Sequence, residues 1–371
     1  MKGYYLFAPT EAVLLGAGSG VEKKVRSQVA SLQKYCNVEL TILPPAHENN
    51  SILRKIWKRL PFTRVWRRWS YEGEYNNADF LYIRQVYHDD AFVRYLKKIK
   101  NNNPDIKIIY EVPTYPYGED VKLSISNYSM VKKEQICRVK AAKFFDRIVT
   151  FYGQESIWGV SCIKLRNGFD FKSVTLPSRT KLPKEIHIIS VAQVAFWHGY
   201  ERVIRGLGEY YSSGGKEQII YHYVGEPLQE HLELAKHYGI DGTVVQFHGK
   251  MSGAALQQLL SQSCIGIDVL GGHRVNYKVS SSLKSREYAA YGIPVVTASP
   301  IDYLPTDYPF QLIVPYDDSS LNIDQLLEFY HNIYDRKECN KVASEIRTYA
   351  EARCDMDVTM KPVADWILSD Q

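Results

Sequence analysis

Three serines and the short basic stretch after them are the part of this sequence best suited to bind an anion. Ser280–Ser282 carry side chains that often cap a helix, and the residues from Leu283 to Ala290 follow near-helical apolar spacing. The first turn of a helix leaves its backbone N–H groups unpaired and carries about half a positive charge. Lys284 and Arg286 add to that field. The stretch therefore predicts a phosphate site at a helix N-terminus.

The residues that follow suggest what else such a ligand would carry. Glu287 stands one turn after Lys284, and a carboxylate accepts two hydroxyl hydrogen bonds, as from the vicinal diol of a ribose. Gly292 is placed to end the helix in a left-handed cap, and Ile293–Val296 restarts as a short buried strand. Together these features fit a nucleotide. An ordinary capped helix with a solvated charged face would show the same pattern, so the residues alone leave both readings open.

The rest of the chain alternates apolar runs with segments of helical periodicity, which is typical of a parallel sheet covered by helices on both faces. Ligands of such sheets bind at the carboxyl ends of the strands. Because 371 residues exceed one comfortable core, we expect two domains of this kind. The predicted strands are Gly3–Ala8, Val38–Leu43, Ala78–Arg84, Ile106–Pro113, Phe145–Phe151, Ile186–Ala192, Ile219–Glu226, Val244–Gly249 and Cys264–Leu270.

The stretch Ser280–Val296 resembles the donor-binding motif of family-4 retaining glycosyltransferases of the GT-B fold, in particular those that build bacterial surface polysaccharides. In that motif a serine-rich or glycine-rich loop leads into a helix whose glutamate holds the donor ribose and which ends in Gly-x-Pro-Val-Val. Asn167–Asp170 is similar to the family's turn before the interdomain linker. The resemblance covers nearly the whole chain and is strongest from Phe247 to Asp302. It implies an α/β fold with two Rossmann-like, doubly wound domains that face a central cleft.

The resemblance also implies domain limits. We expect an N-terminal, acceptor-binding domain over residues 1–174, a linker over 175–183 that contains two prolines, and a nucleotide-sugar-binding domain over 184–356. The last helix, over about 357–371, is expected to return to the first domain.

The resemblance further implies a set of site residues. The expected catalytic residues are Lys284, Arg274 and Glu111. For Glu111, a structural role in which its carboxylate bonds loop amides is an equal alternative. Ser19 and Gly20 are expected in the acceptor-side loop, unless the glycines there only form a turn. The expected donor-binding residues are Ser281, Ser282, Leu283, Lys284, Glu287, Arg202, Gly225, His248 and Gly249.

The chemistry expected of this site needs no cofactor and no metal. Acid-rich metal motifs of the Asp-x-Asp type are absent from the sequence, so the helix N-terminus with Lys284, Arg286 and Arg274 would stabilise the leaving diphosphate. The donor substrate would be a UDP- or GDP-sugar, and the resemblance implies retention of configuration. Six scattered cysteines show no zinc-site spacing, which favours reduced thiols.

Four positions depart from the family's pattern. Gln193 and His198 stand where most relatives carry an arginine and a lysine, Tyr110 replaces a histidine, and Val279 replaces a second glutamate. These departures keep a rival interpretation open, in which the chain is a non-catalytic GT-B protein that binds or stabilises another glycosyltransferase. A phosphorylase of the same architecture has no support in the sequence.

Charge is distributed unevenly along the chain. Residues 1–172 contain 28 Lys+Arg against 17 Asp+Glu, a net charge of +11, and the remaining 18 against 24 give −6, which together make the overall +5. A basic N-terminal half predicts an anionic acceptor or surface on that side. No apolar run approaches the roughly 20 residues that span a bilayer, and no signal-peptide pattern opens the chain, so we expect a cytoplasmic protein.

One basic segment with tryptophans suggests contact with a membrane surface. Apolar and basic residues alternate there at helical spacing, without any acid between positions 54 and 68, as in helices that lie on anionic lipid. The alternatives are a helix whose tryptophans pack on their own domain, or an RNA-binding patch, which we disfavour because no nucleic-acid module accompanies the charge. We therefore expect a peripheral membrane protein with a lipid-linked or glycan acceptor and no nucleic-acid partner. The predicted membrane residues are Arg54, Lys55, Trp57, Lys58, Arg59, Trp66, Arg67, Arg68 and Trp69.

Overall fold

The computed structural model of the chain describes residues 1–9, 20–46, 69–115, 125–151, 153–178 and 183–369, with the backbone alone for residues 125–130. It divides into two compact units. Unit 1 comprises Met1–Leu165 together with Thr359–Gln371, and unit 2 comprises Arg166–Val358.

The described residues of unit 1 form a seven-stranded sheet with helices between the strands. The strands are β1 (Lys2–Phe7), β2 (Asn37–Ile42), β3 (Phe80–Arg84), β4 (Lys107–Val112), β5 (Arg147–Thr150), β6 (Ser156–Ile157) and β7 (Val160–Lys164). The helices are α1 (Gly20–Leu32), α2 (Asp90–Asn102) and α3 (Ile125–Ala142). The strand order is β2-β1-β3-β4-β5-β7-β6, and among these described strands only the short β6 runs antiparallel to its neighbour.

The central strands β3 and β4 of unit 1 are buried on both faces because their sequences are largely apolar. Every residue of β3 and of β4 is buried, including the charged Arg84 and Glu111. Such near-continuous burial is expected of parallel strands that helices cover on both sides. Asp89 caps α2 by accepting a hydrogen bond from the Phe92 amide at 2.7 Å.

Unit 2 is a six-stranded, fully parallel sheet within the described part of the chain. Its strands are β8 (Ile186–Val191), β9 (Ile219–Val224), β10 (Val245–Gly249), β11 (Ile265–Ile267), β12 (Val295–Thr297) and β13 (Gln311–Ile313). Its helices are α4 (Glu201–Ser212), α5 (Gln229–His237), α6 (Gly253–Gln262), α7 (Leu283–Ala290), α8 (Ile323–Tyr334) and α9 (Cys339–Cys354), and α10 (Met356–Leu368) follows. Single 3₁₀ turns cover Phe171–Ser173, Phe196–His198 and Gly272–Val275.

The strand order of unit 2 locates the position where a ligand would bind. The order β10-β9-β8-β11-β12-β13 runs outward in both directions from β8, which is the doubly wound arrangement of dinucleotide-binding domains. In such sheets the loops after the two central strands diverge and leave a crevice at their carboxyl ends. Here those loops follow β8 and β11, and the second one leads to Ser280–Ser282.

The boundary between the units lies earlier than the sequence predicted. Residues 166–174 were expected in the first domain, but they belong to unit 2. The amide of Phe169 donates to the carbonyl of Cys354 at 2.8 Å, and the Phe171 ring is completely buried in the core under α7 and α9. The Arg347 guanidinium also donates to the Phe171 carbonyl at 2.6 Å. These contacts hold the segment to unit 2.

The end of the chain is part of unit 1, which takes up α10 from Thr359 onward. The Lys107 ammonium donates to the carbonyls of Ile367 at 2.9 Å and Ser369 at 2.6 Å. A cation at this position pairs the unbonded carbonyls that every helix leaves at its C-terminus. No helix of the described residues is both long and apolar enough to cross a membrane.

Candidate functional site

The serine loop and helix α7 form the centre of the site in unit 2. Ser282 is the N-cap of α7, and its hydroxyl accepts a hydrogen bond from the Ser285 amide at 3.3 Å. The amides of Leu283 and Lys284 therefore open the helix, where no preceding turn supplies them with a carbonyl. The predicted loop, helix and strand are confirmed, and α7 begins where the sequence placed it.

Helix α7 ends as the sequence predicted. Gly292 has a positive φ of 67°, its amide bonds the Ala289 carbonyl at 3.0 Å, and the Ile293 amide bonds the Tyr288 carbonyl at 2.9 Å. These two bonds define a Schellman cap. A Cβ on Gly292 would also lie 2.4 Å from the Ala343 Cβ, so only glycine fits. The cap fixes the length of α7 and thereby the position of its first turn.

A buried carboxylate organises the serine loop from below. Asp268 directly follows β11 and is 0% exposed. It accepts hydrogen bonds from the Ser280 hydroxyl at 2.7 Å and the Ser282 hydroxyl at 2.6 Å. Its Oδ1 also lies 3.5 Å from the Lys284 ammonium. The Asp268 carboxylate thus contacts Ser280 and Ser282, the first and last serines of the loop, and also Lys284 in the first turn of α7.

Lys284 is the cation of this site, and it is poorly solvated. Its side chain is 14% exposed, and its ammonium lies 3.3 Å from the Tyr200 hydroxyl. Burial lowers the pKa of Lys284, while the nearby Asp268 carboxylate acts in the opposite direction. Because the ammonium is poorly solvated, it would bind a second anionic group in addition to Asp268.

A histidine lies beside Lys284. The His198 ring stacks on Tyr200 with 5.3 Å between the ring centroids, and its Nδ1 accepts a hydrogen bond from the Ala195 amide at 2.9 Å. Burial, and secondly the charge of Lys284, lower the pKa of His198 to about 3. The ring is therefore neutral near pH 7 and carries its proton on Nε2, as a neutral hydrogen-bond donor. His198 replaces a charge of the family's pattern with a dipole.

The ends of β8, β9 and β10 form the neighbouring wall of the crevice. The Gly225 amide donates to the Gly249 carbonyl at 2.8 Å, and Gly225 has a φ of 134°. A Cβ on Gly225 would lie 2.2 Å from the Ala192 carbonyl oxygen, so this close approach requires glycine. His248 is partly buried, and its Nε2 lies 3.0 Å from Nδ1 of His222. The predicted donor contacts of Gly225, His248 and Gly249 stay predictions.

Two further predicted residues lie at the same end of unit 2. Glu287 is one turn beyond Lys284 on α7 and is partly exposed. Arg274 lies in a 3₁₀ turn, where its guanidinium donates to the Phe196 carbonyl at 2.6 Å, to Glu201 at 2.5 Å and to Asp318. Two carboxylates thus already share the charge of Arg274. Its direct part in catalysis stays a prediction, while its contacts make it a positioning residue of this turn.

The prediction that Glu111 is catalytic is wrong, because its carboxylate is 0% exposed and fully engaged. It forms an ion pair with Arg84, accepts a hydrogen bond from the Tyr82 hydroxyl at 2.5 Å and another from the Gln28 amide at 2.8 Å. Burial alone would raise the pKa of Glu111, but the charges of Arg84 and Lys24 and these hydrogen bonds lower it. The carboxylate is a structural anion inside unit 1.

Arg202 does not contact a donor either, since its side chain is 0% exposed. Its guanidinium donates to three backbone carbonyls, those of Leu270 at 2.5 Å, Ser319 at 2.6 Å and Pro315 at 3.0 Å. Arg202 thereby anchors the turn after β11 and the loop after β13 to α4.

Arg286 is likewise structural, and the expectation that it stabilises a leaving group is wrong. It is 0% exposed, forms an ion pair with Asp302 and donates to the carbonyls of Asn167 at 3.2 Å and Ser282 at 3.0 Å. Asp302 also accepts a hydrogen bond from the Ser281 hydroxyl at 2.8 Å. Ser281 is therefore held in place by its side chain, and Arg286 supports the loop from its buried side.

Several predicted residues lie outside the described part of the chain. Ser19 is one of them, and Gly20 is the first residue of α1, with open space where a Cβ would stand. Trp69 is described, and its assignment to a membrane surface is wrong: it is 5% exposed, it forms a β-bridge with Pro45, and it belongs to the core of unit 1. The other predicted membrane residues lie outside the described ranges, namely Arg54, Lys55, Trp57, Lys58, Arg59, Trp66, Arg67 and Arg68.

The sequence interpretation assigned no role to Asp268 or Tyr200. A signal for Asp268 was present, because an acidic residue directly after a short apolar strand of a parallel sheet falls at the edge where ligands bind. Tyr200 gave no such signal: it looks like one of 28 tyrosines, and only the fold places it against Lys284.

Comparison with solved structures defines the fold class. Two Rossmann-like units with parallel sheets form the GT-B fold, and the chain matches structures of this class along its length. Anabaena HepE in complex with UDP-glucose matches over 99% of both chains, with a TM-score of 0.56 and 13% identity. WaaG, a glycosyltransferase involved in lipopolysaccharide biosynthesis, matches over 100% of both chains, with a TM-score of 0.60 and 13% identity.

The match also includes a protein described by a different chemistry. A putative UDP-N-acetylglucosamine 2-epimerase from Listeria monocytogenes matches over 99% of this chain and 95% of its own, with a TM-score of 0.52 and 11% identity. No protein-family model matches the sequence, and no curated protein matches it. At these identities the likeness establishes the fold, and the function has to be argued from the site.

Proposed function

We propose that this chain is a retaining glycosyltransferase that moves a sugar from a nucleotide-sugar donor to a lipid-linked acceptor in the synthesis of a surface polysaccharide or glycoconjugate. The observation that carries the proposal is the geometry of Lys284. This lysine is only 14% exposed and lies in the first turn of α7, at the end of a loop that Asp268 holds in place, in the crevice that the strand order defines. Two solved structures of the same fold, HepE with UDP-glucose and WaaG, are consistent with it.

The reaction needs an anion site at this place. The bond between the anomeric carbon and the diphosphate oxygen breaks, and its electron pair leaves with the nucleoside diphosphate. A bond forms between the anomeric carbon and an acceptor hydroxyl oxygen, whose proton is released. Negative charge therefore grows on the diphosphate, where Lys284 and the first amides of α7 would receive it. No metal is part of this proposal, and retention rests on the resemblance to family 4.

The remaining donor contacts follow from the positions of nearby residues. Glu287, partly exposed and one turn beyond Lys284, would accept hydrogen bonds from the ribose hydroxyls of the donor. The backbone at Gly225 and Gly249 would border the base of a UDP- or GDP-sugar. His198 would donate its Nε2 proton to a phosphate oxygen in place of the family's basic side chain.

The first test changes Lys284 to Gln. We expect sugar-nucleotide turnover to fall about 100- to 1000-fold, the usual effect of removing one donor to a developing anion. Affinity for UDP or GDP, measured by titration calorimetry, should fall as well. Lys278→Gln is the matched control, because Lys278 is exposed on the same loop and should leave both quantities unchanged.

An unchanged nucleotide affinity in Lys284→Gln would reject this site as the donor site. A protein that binds the nucleotide through Lys284 but turns over no donor would instead support the rival interpretation, a non-catalytic partner of another transferase. The departures at Gln193, His198, Tyr110 and Val279 are what keep that rival interpretation open.

The lipid-linked acceptor has two supports. The first is a set of exposed apolar side chains near the 3₁₀ turn that precedes the serine loop: the Phe196 carbonyl accepts a hydrogen bond from Arg274 of that turn, and the Tyr316 ring contacts His273 with centroids 5.7 Å apart. The second support is the basic segment 54–68 of the sequence. The exposed apolar residues at this end of unit 2 are Phe196, Trp197, Val275, Val279 and Tyr316.

A vesicle experiment tests the membrane contact separately. A variant with Arg54, Lys55, Lys58 and Arg59 changed to Glu should no longer sediment with anionic vesicles, because each lost charge removes about 1 kcal/mol of attraction. Neutral vesicles serve as the control, and the variant should retain its affinity for the free nucleotide. Equal sedimentation of the parent and the variant would rule out this segment as the membrane contact.

A further inference from the structure

A second cluster of titratable groups lies in unit 2, where its histidine contacts the Tyr223 ring, which in turn contacts the Tyr200 ring. It consists of Glu201, the first residue of α4, and of Glu230 and His231 in the first turn of α5. One ligand atom from each residue lies within 4.8 Å of the others. Nothing in the proposed transfer reaction uses these groups.

The histidine of this cluster is buried and only half satisfied. His231 is 1% exposed, and its Nδ1 lies 2.6 Å from the Tyr223 hydroxyl. Its Nε2 has no hydrogen-bond partner, and it faces the carboxylates of Glu201 at 3.5 Å and Glu230 at 3.6 Å. These separations are too long for good hydrogen bonds. They suit two ligands of one ion, because metal–ligand bonds of about 2.0–2.1 Å at tetrahedral angles place neighbouring ligand atoms about 3.3 Å apart.

The surroundings also match those of a metal site. One oxygen of Glu201 is held by Arg274 at 2.5 Å, while the other is buried without a hydrogen-bond partner. A second residue that orients each ligand, here Tyr223 for His231 and Arg274 for Glu201, is the usual support of a protein-bound metal.

We propose that Glu201, Glu230 and His231 bind a divalent transition-metal ion of the zinc type. One imidazole nitrogen and two carboxylate oxygens are the ligands such an ion takes, with water completing the shell. The ion would clamp α5 to the first turn of α4, and through Arg274 it would steady the turn that precedes the serine loop. Its role is structural and independent of the transfer reaction.

The test is calorimetric titration of the chelator-treated, full-length protein with ZnCl₂. We expect one equivalent to bind, and Glu230→Gln to weaken the affinity at least tenfold; Glu230 is 62% exposed, so the variant should fold. Tyr223→Phe should weaken it by about 10- to 100-fold through loss of the hydroxyl that orients His231. Glu233→Gln, exposed one turn later on α5, is the matched control and should bind as the parent does.

Three outcomes would overturn the proposal. If no equivalent of zinc binds, His231 and Glu201 are only neighbours at 3.5 Å and hold no ion. Equal zinc affinities of the parent and Glu230→Gln would place the ion elsewhere. Equal affinity for MgCl₂ and ZnCl₂ would exclude a site built on imidazole. The Co²⁺-loaded protein gives a further test that does not depend on activity. A visible absorption spectrum typical of tetrahedral coordination, present in the parent and absent in His231→Gln, would support the proposed site.

Discussion

Units 1 and 2 each bury one carboxylate completely near the carboxyl end of a central parallel strand, and the two groups have different partners. Glu111 lies within β4 and pairs with Arg84 on the adjacent strand. Asp268 follows β11 and takes two serine hydroxyls and a lysine from the loop above it. The first carboxylate holds a sheet together, whereas the second positions a ligand site.

The partners of the two carboxylates explain this difference. Arg84 is a cation that cannot lose its proton in a protein, and its ion-pair partner Glu111 lies beside it within the sheet. Lys284 can lose its proton when its environment is unfavourable, and its side chain remains partly exposed at the mouth of the site. In this protein, the buried carboxylate at a strand end belongs to a candidate ligand site where the side chain paired with it is partly exposed, as for Asp268 and Lys284, and is structural where that side chain lies within the sheet, as for Glu111 and Arg84.

The largest effect should come from breaking the structural pair with Glu111→Gln. We expect the free energy of unfolding to fall by about 3–5 kcal/mol, because Arg84 is left as an uncompensated buried charge. Chemical denaturation followed by circular dichroism measures the change. Nucleotide affinity of the folded fraction should not change, since the Glu111 carboxylate is 0% exposed and bonds Arg84, Tyr82 and Gln28, all within unit 1.

Two controls make the experiment on Glu111 decisive. The double variant Arg84→Met with Glu111→Gln should recover much of the lost stability, because no unpaired charge remains. The pKa of Glu111 is lowered in the folded state, so its stabilisation is present above the ordinary value of 4.5 and is lost as the pH falls through the lowered pKa. The single variant should lack this acid-dependent loss. Loss of transfer without loss of stability would restore Glu111 as a catalytic residue.

Most of the fold could be predicted from the sequence because its signals are local. The apolar strands of both sheets, the serine N-cap of α7 and the glycine at its end are each encoded within a few residues, and the structure confirms them. The boundary near residue 166 was missed, since the segment after it is held by Arg347 and Cys354, far away in the sequence.

The site was predicted less completely because charge partners are not local. Arg84 and Glu111 stand directly opposite each other on β3 and β4, a register that no sequence pattern gives. Arg202 looked like a phosphate ligand, but its carbonyl partners lie up to 117 residues away. Asp268 acquires its role only when the fold brings the serine loop over it. A basic residue near a predicted anion site can therefore have either of two roles: it can bind the ligand, or it can hold the loop of the site in place.

The smaller and sharper effect should come from Asp268→Asn. We expect nucleotide affinity to fall about tenfold, since the two serine hydroxyls lose a charged acceptor that fixes the loop, at about 1.4 kcal/mol in binding. Stability should fall less than in Glu111→Gln, because Lys284 can release its proton whereas Arg84 cannot. We therefore expect Glu111→Gln to lose more stability than Asp268→Asn, and Asp268→Asn to lose more nucleotide affinity than Glu111→Gln.

The dependence on pH distinguishes the role of Asp268 from a general loosening of the loop. Burial lowers the pKa of Lys284 and Asp268 opposes that effect, so removing the carboxylate should lower the pKa further. Only the ammonium form attracts a diphosphate, so affinity should decline as the pH rises, and the decline should begin at a lower pH in Asp268→Asn than in the parent. Calorimetry with UDP from about pH 6 to about pH 9 measures this decline in affinity.

Asp302→Asn is the matched control for the pH experiment. Asp302 also accepts a serine hydroxyl but pairs with Arg286, so its replacement should leave the pH profile of UDP affinity unchanged. Superimposable profiles for the parent and Asp268→Asn would show that Asp268 is, like Glu111, only structural.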